Sequence, residues 1–184
     1  MEIVFDLKFE RTYHIETITE LGLEEQYYYY PSRAKDGLTV KVTPLGCESW
    51  IGIFEFGTVT PNDILAIYTM PELNKFCVVA GGAGYIVSAT NPEKWEEVRA
   101  IPIVDERCIK SHNIIMFADY TELIAYDEFG IRWKTQRLAY DSFKIIDIKD
   151  NVLMGRLWNI RNEADEIFEV NLNDGSQAGG ISEL

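Results

Sequence analysis

The sequence predicts an all-β fold: antiparallel sheets built on blade-like repeats of about 38 residues, arranged as a partial propeller or a stack of sheets. Three observations carry this. Residues 76–113 slide onto 114–151 by 38 positions without a gap, placing Ala80 on Ala118, Trp95 on Trp133, Arg99 on Arg137 and Asn113 on Asn151. Short apolar runs recur between turn signals: Phe76–Ala80 lands on Ile114–Ala118, and Tyr85-Ile86-Val87 on Leu123-Ile124-Ala125. Aromatic residues make up 12% of the chain, as suits sheets that pair large side chains across strands.

Taken in order, residues 1–10 alternate as a strand, with Ile3, Phe5, Leu7 and Phe9 on one face. Residues 12–26 are ambiguous: Thr12, Ile15, Thr17 and Thr19 favour strand, while Glu20–Gln26 suits one helical turn. Pro31–Gly37 is a loop with Asp36-Gly37 as its turn signal, and Leu38–Thr43 alternates again. Trp50–Phe56 is a strand with apolar or aromatic residues on both faces. Pro61-Asn62-Asp63 and Pro71–Asn74 are turns. Each repeat then opens on an apolar strand (76–80, 114–118, 152–154), and a tight turn leads to a second strand (85–89, 123–127). A short Trp-containing strand (94–98, 132–136) and a closing strand (107–110, 144–148) complete the first two copies. The third copy spans 152–184 and drifts out of register; Asp174-Gly175 is a hairpin turn and Gly179-Gly180 a fraying tail. Three copies cannot close a propeller of four or more blades, and residues 38–75 align poorly to the repeat. No linker divides the chain, so residues 1–184 read as one domain.

Composition narrows the function. The net charge of −13 repels phosphate backbones and anionic lipid, which argues against nucleic-acid and membrane partners and allows a basic protein partner. The N-terminus lacks the basic start and apolar stretch of a signal peptide, and no run approaches the ~20 apolar residues of a membrane span. Cys47, Cys77 and Cys108 are odd in number and widely spaced, which suits reduced thiols in a cytoplasmic protein rather than a disulfide framework or a zinc site.

Ser49-Trp50-Ile51-Gly52, the run Val78–Val87, Phe117-Ala118-Asp119 and Phe168–Leu172 with Gly175 together resemble an uncharacterised group of small bacterial proteins. The repeats resemble degenerate blades of the quinoprotein-type propeller. The likeness spans roughly residues 46–180. It implies a fold, and it transfers neither catalytic residues nor a cofactor.

Gly81-Gly82-Ala83-Gly84 invites a phosphate-loop reading, but such a loop needs a Lys and then a Ser or Thr after the last glycine, followed by a helix. Here a strand follows, and the second copy has Asp119–Glu122 in that place, so the glycines read as a hairpin turn. Asn171–Gly175 resembles a calcium loop with its glycine out of place, and it too reads as a turn. His14 and His112 are the only histidines, and no nucleophile sits in a recognised motif. Trp95 and Trp133 read as inter-sheet packing; Arg99 and Arg137 are expected to pair with a carboxylate or cover the tryptophan.

The outlier is Tyr27-Tyr28-Tyr29-Tyr30 before Pro31-Ser32-Arg33: in a strand, alternate residues face opposite ways, and tyrosine suits interfaces. Trp158, with Arg156 and Arg161, has left the repeat pattern. The sequence therefore points to a non-enzymatic interaction module that binds a protein partner or a second copy. Its expected anchors are Tyr28, Tyr30, Arg33 and Trp158, and an acidic immunity or inhibitor protein is one case. No metal or cofactor is expected. The alternative is a small-molecule or carbohydrate-binding protein, or a hydrolase, using Asp119, Glu122 and Asp127.

Overall fold

The computed structural model describes residues 3–20, 22, 26–57 and 64–181. The turn expected at Pro61-Asn62-Asp63 lies outside them, as does most of the ambiguous stretch before Gln26. The described residues form seventeen strands and one short 3-10 turn, Lys110–His112, and no α-helix. The chain divides into two compact units, Met1–Pro102 and Ile103–Leu184. The division falls in Ile101-Pro102-Ile103, which carries none of the polar, glycine-rich character by which a linker is read.

The first unit holds β1 (Val4–Asp6), β2 (Tyr13–Thr17), β3 (Gln26–Tyr30), β4 (Leu38–Pro44), β5 (Trp50–Phe54), β6 (Leu65–Thr69), β7 (Lys75–Ala80), β8 (Ala83–Ser88) and β9 (Trp95–Glu97). They form two sheets, β2-β4-β5-β3 and β1-β6-β7-β8-β9. Pairing is antiparallel except for β3 with β5 and β1 with β6. β1 is shorter than the alternation of residues 1–10 predicts; Phe5 is exposed, and Phe9 is buried with its N–H donated to Thr69 Oγ1. An edge strand whose pairing stops at Asp6 does not hold the alternation beyond it.

The two sheets pack face to face. Val40, Val42, Trp50 and Phe54 from one meet Ile67, Phe76, Val78 and Val87 from the other. Polar tips of the buried aromatics reach backbone carbonyls across this core. Trp50 Nε1 donates to Ala89 O at 2.8 Å, Tyr13 to Lys75 O at 2.8 Å, Tyr30 to Pro92 O at 2.7 Å and Tyr85 to Glu55 O at 2.9 Å. A buried hydroxyl or indole N–H needs such a partner, and these carbonyls are the acceptors within reach.

The second unit holds β10 (Asp105–Ile109), β11 (Ile114–Ala118), β12 (Leu123–Asp127) and β13 (Gly130–Lys134) in one sheet. The other contains β14 (Phe143–Lys149), β15 (Val152–Asn159), β16 (Ala164–Asn171) and β17 (Gln177–Gly179). Both are antiparallel meanders in chain order, and none of the four sheets closes on itself. Their shared core includes Met116, Leu123 and Trp133 from one sheet and Leu153, Leu157, Phe168 and Val170 from the other.

The 38-residue shift has a structural counterpart and one departure. Trp95 pairs with Val87, and Trp133 with Ala125, as the shift requires. The shift also places Phe76 on Ile114, yet Val87 pairs with Phe76 while Ala125 pairs with Met116, two residues further on. The cause is the turn. Gly81 and Gly82, at φ 59° and 83°, make a two-residue turn of the left-handed kind. Asp119–Glu122 make a longer one, in which Asp119 Oδ1 accepts from Thr121 N, Thr121 Oγ1 and Glu122 N. An even difference keeps every side chain on its face. In the drifted third copy, β15 and β16 each run eight residues, well beyond the strand expected at 152–154.

Candidate functional site

In the first unit a cleft of about 410 Å³ opens at the Gly81-Gly82 turn. Its backbone frame is tight. Gly57 N donates to Ala80 O at 2.9 Å, and Gly81 N to Ile64 O at 3.0 Å. A Cβ on Gly57 would come within 2.2 Å of Gly81 O, so only glycine lets the chain leaving β5 run past this turn. Phe56, Val98, Ile101, Pro31 and Pro102 supply apolar walls. Glu55 follows β5 and Glu97 ends β9, and both lie beside Tyr85 on β8. The Tyr85 hydroxyl is pushed up to about 12, first by burial and then by the Glu55 and Glu97 carboxylates. Glu55 and Glu97 are the charged residues of an otherwise largely apolar lining, and both act on the one phenol. The cleft can take an apolar stem with a cationic head.

A second, polar cleft of about 660 Å³ lies in the second unit, where Ser111, His112, Arg132, Asp150, Asn151 and Asn173 meet. Ser111 Oγ lies 2.9 Å from His112 Nδ1, and His112 Nε2 lies 2.9 Å from Asn151 Oδ1. Arg132 donates to His112 O at 3.1 Å and to Asn173 O at 3.2 Å. These bonds tie the β10–β11, β14–β15 and β16–β17 turns together, and they engage both histidine nitrogens. The group is a clasp between turns.

Of the sequence-predicted anchors, Tyr28, Tyr30 and Arg33 lie in the first unit and Trp158 in the second. Tyr30 is 1% exposed, its ring in the first unit's core rather than on a surface. Tyr28 is half-buried, edge-on to Trp50 at 5.5 Å. Tyr27 and Tyr29 take the opposite face of β3, where Tyr29 is exposed. The alternation expected of the tetrad is present, but the face holding Tyr28 and Tyr30 is the one packed on the second sheet, so Tyr30 is corrected from anchor to core residue. Arg33 is exposed in the loop after β3 and is not part of the cleft. Trp158 is exposed on the second unit.

The acids of the alternative reading are engaged locally. Asp119 closes its turn, Glu122 pairs with Lys134 at 2.5 Å, and Asp127 Oδ1 accepts from Phe129 N. Arg137 donates to Ala139 O and Tyr140 O. The Asn171–Gly175 stretch is a hairpin turn closed by Asn171 Oδ1 accepting from Asn173 N. Among the described residues no cluster of three or more His, Cys, Asp or Glu could hold a metal ion. No described helix is long and apolar enough to cross a membrane.

Glu55, Glu97 and Tyr85 were not legible as a group. Only Gly81-Gly82 marked the place, and nothing in the sequence joins a glutamate after β5 to one at the end of β9. No family model matches this chain, and no curated protein or solved structure matches it.

Proposed function

We propose that this protein is an interaction module that recognises a basic side chain of a protein partner in the cleft beside Tyr85. The observation that carries this is the pairing of Glu55 and Glu97 around one phenol within apolar walls. A lysine or arginine has an alkyl stem for Phe56, Val98 and Ile101, and a cationic head for the two acids. The net charge of −13 would steer a basic partner toward the molecule. An acidic immunity or inhibitor protein is one form this takes. The cleft volume also suits a free small amine, which is the second reading. The three consecutive antiparallel meanders (β6–β9, β10–β13, β14–β17) support a blade-like description of the repeats, and the odd, scattered cysteines support a cytoplasmic setting.

Titration calorimetry tests the proposal with lysine- and arginine-bearing peptides, the matching acetylated-lysine peptide and free amines. Basic peptides should bind and the acetylated one should not. A Glu55→Gln, Glu97→Gln double variant should lose about tenfold or more in affinity, as expected where ~1.4 kcal/mol of charge pairing is removed. Binding of free amines at equal strength favours the second reading; no binding by any cation overturns both.

The same variant carries an optical prediction. Tyr85 should ionise near pH 12 in the folded protein, read as the phenolate absorbance that disappears in Tyr85→Phe. Removing the two carboxylates should move that ionisation down. The folded state holds this proton more tightly than the unfolded chain. The Tyr85 contribution to stability is therefore complete below about pH 10 and is lost as pH rises toward 12. An ionisation unchanged in the double variant would mean that the acids do not face Tyr85.

A further inference from the structure

The sheet β14–β17 buries one face through Leu153, Leu157, Phe168 and Val170. Its other face is open and apolar: Trp158 is 51% exposed, Ile167 50% and Ile146 53%. Trp158 lies opposite Asp165, and Ile167 opposite Arg156, on the long central strands β15 and β16. The charges on this face are Lys144, Lys149 and Arg156 against Asp147, Asp165 and Glu169, three of each sign. The chain as a whole carries −13. The face is thus charge-balanced on a molecule whose acidity lies elsewhere.

We infer that this face is where a second copy of the chain docks, by a two-fold interface. Two chains of net charge −13 repel wherever their acidic surfaces meet, and this face removes that repulsion. It is also self-complementary. The three cations lie on β14 and β15 with Asp147 as the single acid beside them, whereas Asp165 and Glu169 lie on β16. A two-fold axis along the strands lays β15 of one copy over β16 of the other and sets Arg156 between Asp165 and Glu169 of the second copy. Within one chain Arg156 reaches Asp165 only at 3.6 Å, with both side chains about half exposed. Such a surface pair is weak, which leaves Arg156 able to re-pair. Trp158 and Ile167 are the apolar anchors beside it.

Size sets the strength. Strands of seven, eight, eight and three residues, about 4.8 Å apart with about 3.3 Å per residue, give a projected face of roughly 400 Å². Standard interfaces bury about 800 Å² per partner, so this dimer belongs to the weak class, with dissociation in the micromolar range.

Sedimentation velocity of the full chain, from about 1 µM to a few hundred micromolar, tests this. The mass should rise from 21.1 kDa toward twice that value. Trp158→Ser should abolish the rise while leaving the melting temperature unchanged. If it lowers the melting temperature, Ile167→Lys takes its place. Arg156→Glu and Asp165→Arg should each remain monomeric alone, and an equimolar mixture of the two should associate. A wild type that stays monomeric throughout overturns the inference, as does association that none of these variants alters. The basic-peptide assay uses the other unit, so failure of one proposal leaves the other standing.

Discussion

Truncating Trp133 to alanine should cost about 3–5 kcal/mol, a loss that chemical denaturation followed by near-ultraviolet circular dichroism would measure. Trp133 is 6% exposed and belongs to the second unit's core. Its indole N–H donates to Leu172 O at 2.8 Å. Gly175, at φ +72°, lies directly beneath the ring: a Cβ there would come within 2.8 Å of the indole. Alanine therefore leaves both an empty volume and a carbonyl without its donor. Trp133→Phe separates the two effects, since it keeps most of the apolar volume; a loss of about 1–3 kcal/mol would be the missing hydrogen bond and the smaller ring. Trp95 holds the same register but is only half-buried, edge-on to Tyr30 at 5.5 Å. Trp95→Ala should cost less than half as much as Trp133→Ala. Equal losses at the two tryptophans, or a loss below about 1 kcal/mol at Trp133, would show that the shared register does not translate into the packing described.

These two tryptophans also mark what the sequence could convey. A repeat reports equivalence: it set Trp95 on Trp133, and the structure gives the two the same register, opposite Val87 and Ala125. It did not report burial, because that depends on the facing sheet. In the second unit that sheet is β14–β17, later in the chain. In the first it is β2-β4-β5-β3, which includes a parallel pairing of β3 with β5 that no hairpin signal announces. The drift after Val152 was likewise two strands lengthening to eight residues, not a loss of structure. The cleft was the least legible feature. Glu55 and Glu97 are ordinary charged residues beside strand ends; Glu97 meets Tyr85 as its register partner across β8 and β9, while the close approach of Gly57 to Gly81 O holds the segment after Glu55 against the β7–β8 turn.

Tyr30 shows how the same limit acts on a single side chain, and its replacement has the second large expected effect. Four successive tyrosines in a strand place two rings on each face, so periodicity alone cannot say which pair is covered. In the folded unit Tyr30 stacks on Phe54 with ring centres 4.7 Å apart and planes at 12°, meets Trp95 edge-on and lies tilted to Trp50 at 6.5 Å. Its hydroxyl donates to Pro92 O, and burial holds its ionisation well above the usual phenol range. Tyr30→Ala should therefore cost about 3–5 kcal/mol, like other buried aromatic truncations. Tyr30→Phe should cost about 1 kcal/mol, since it keeps the ring and removes one hydrogen bond whose acceptor is left behind. Tyr29, on the other face and 41% exposed, should tolerate alanine within about 0.5 kcal/mol. Thermal and denaturant melts of the three variants decide the matter. An interface role for Tyr30 requires the opposite ranking, in which Tyr30→Ala leaves stability intact and weakens association instead. A ring only 1% exposed leaves no surface for a partner, so stability is where the loss should register.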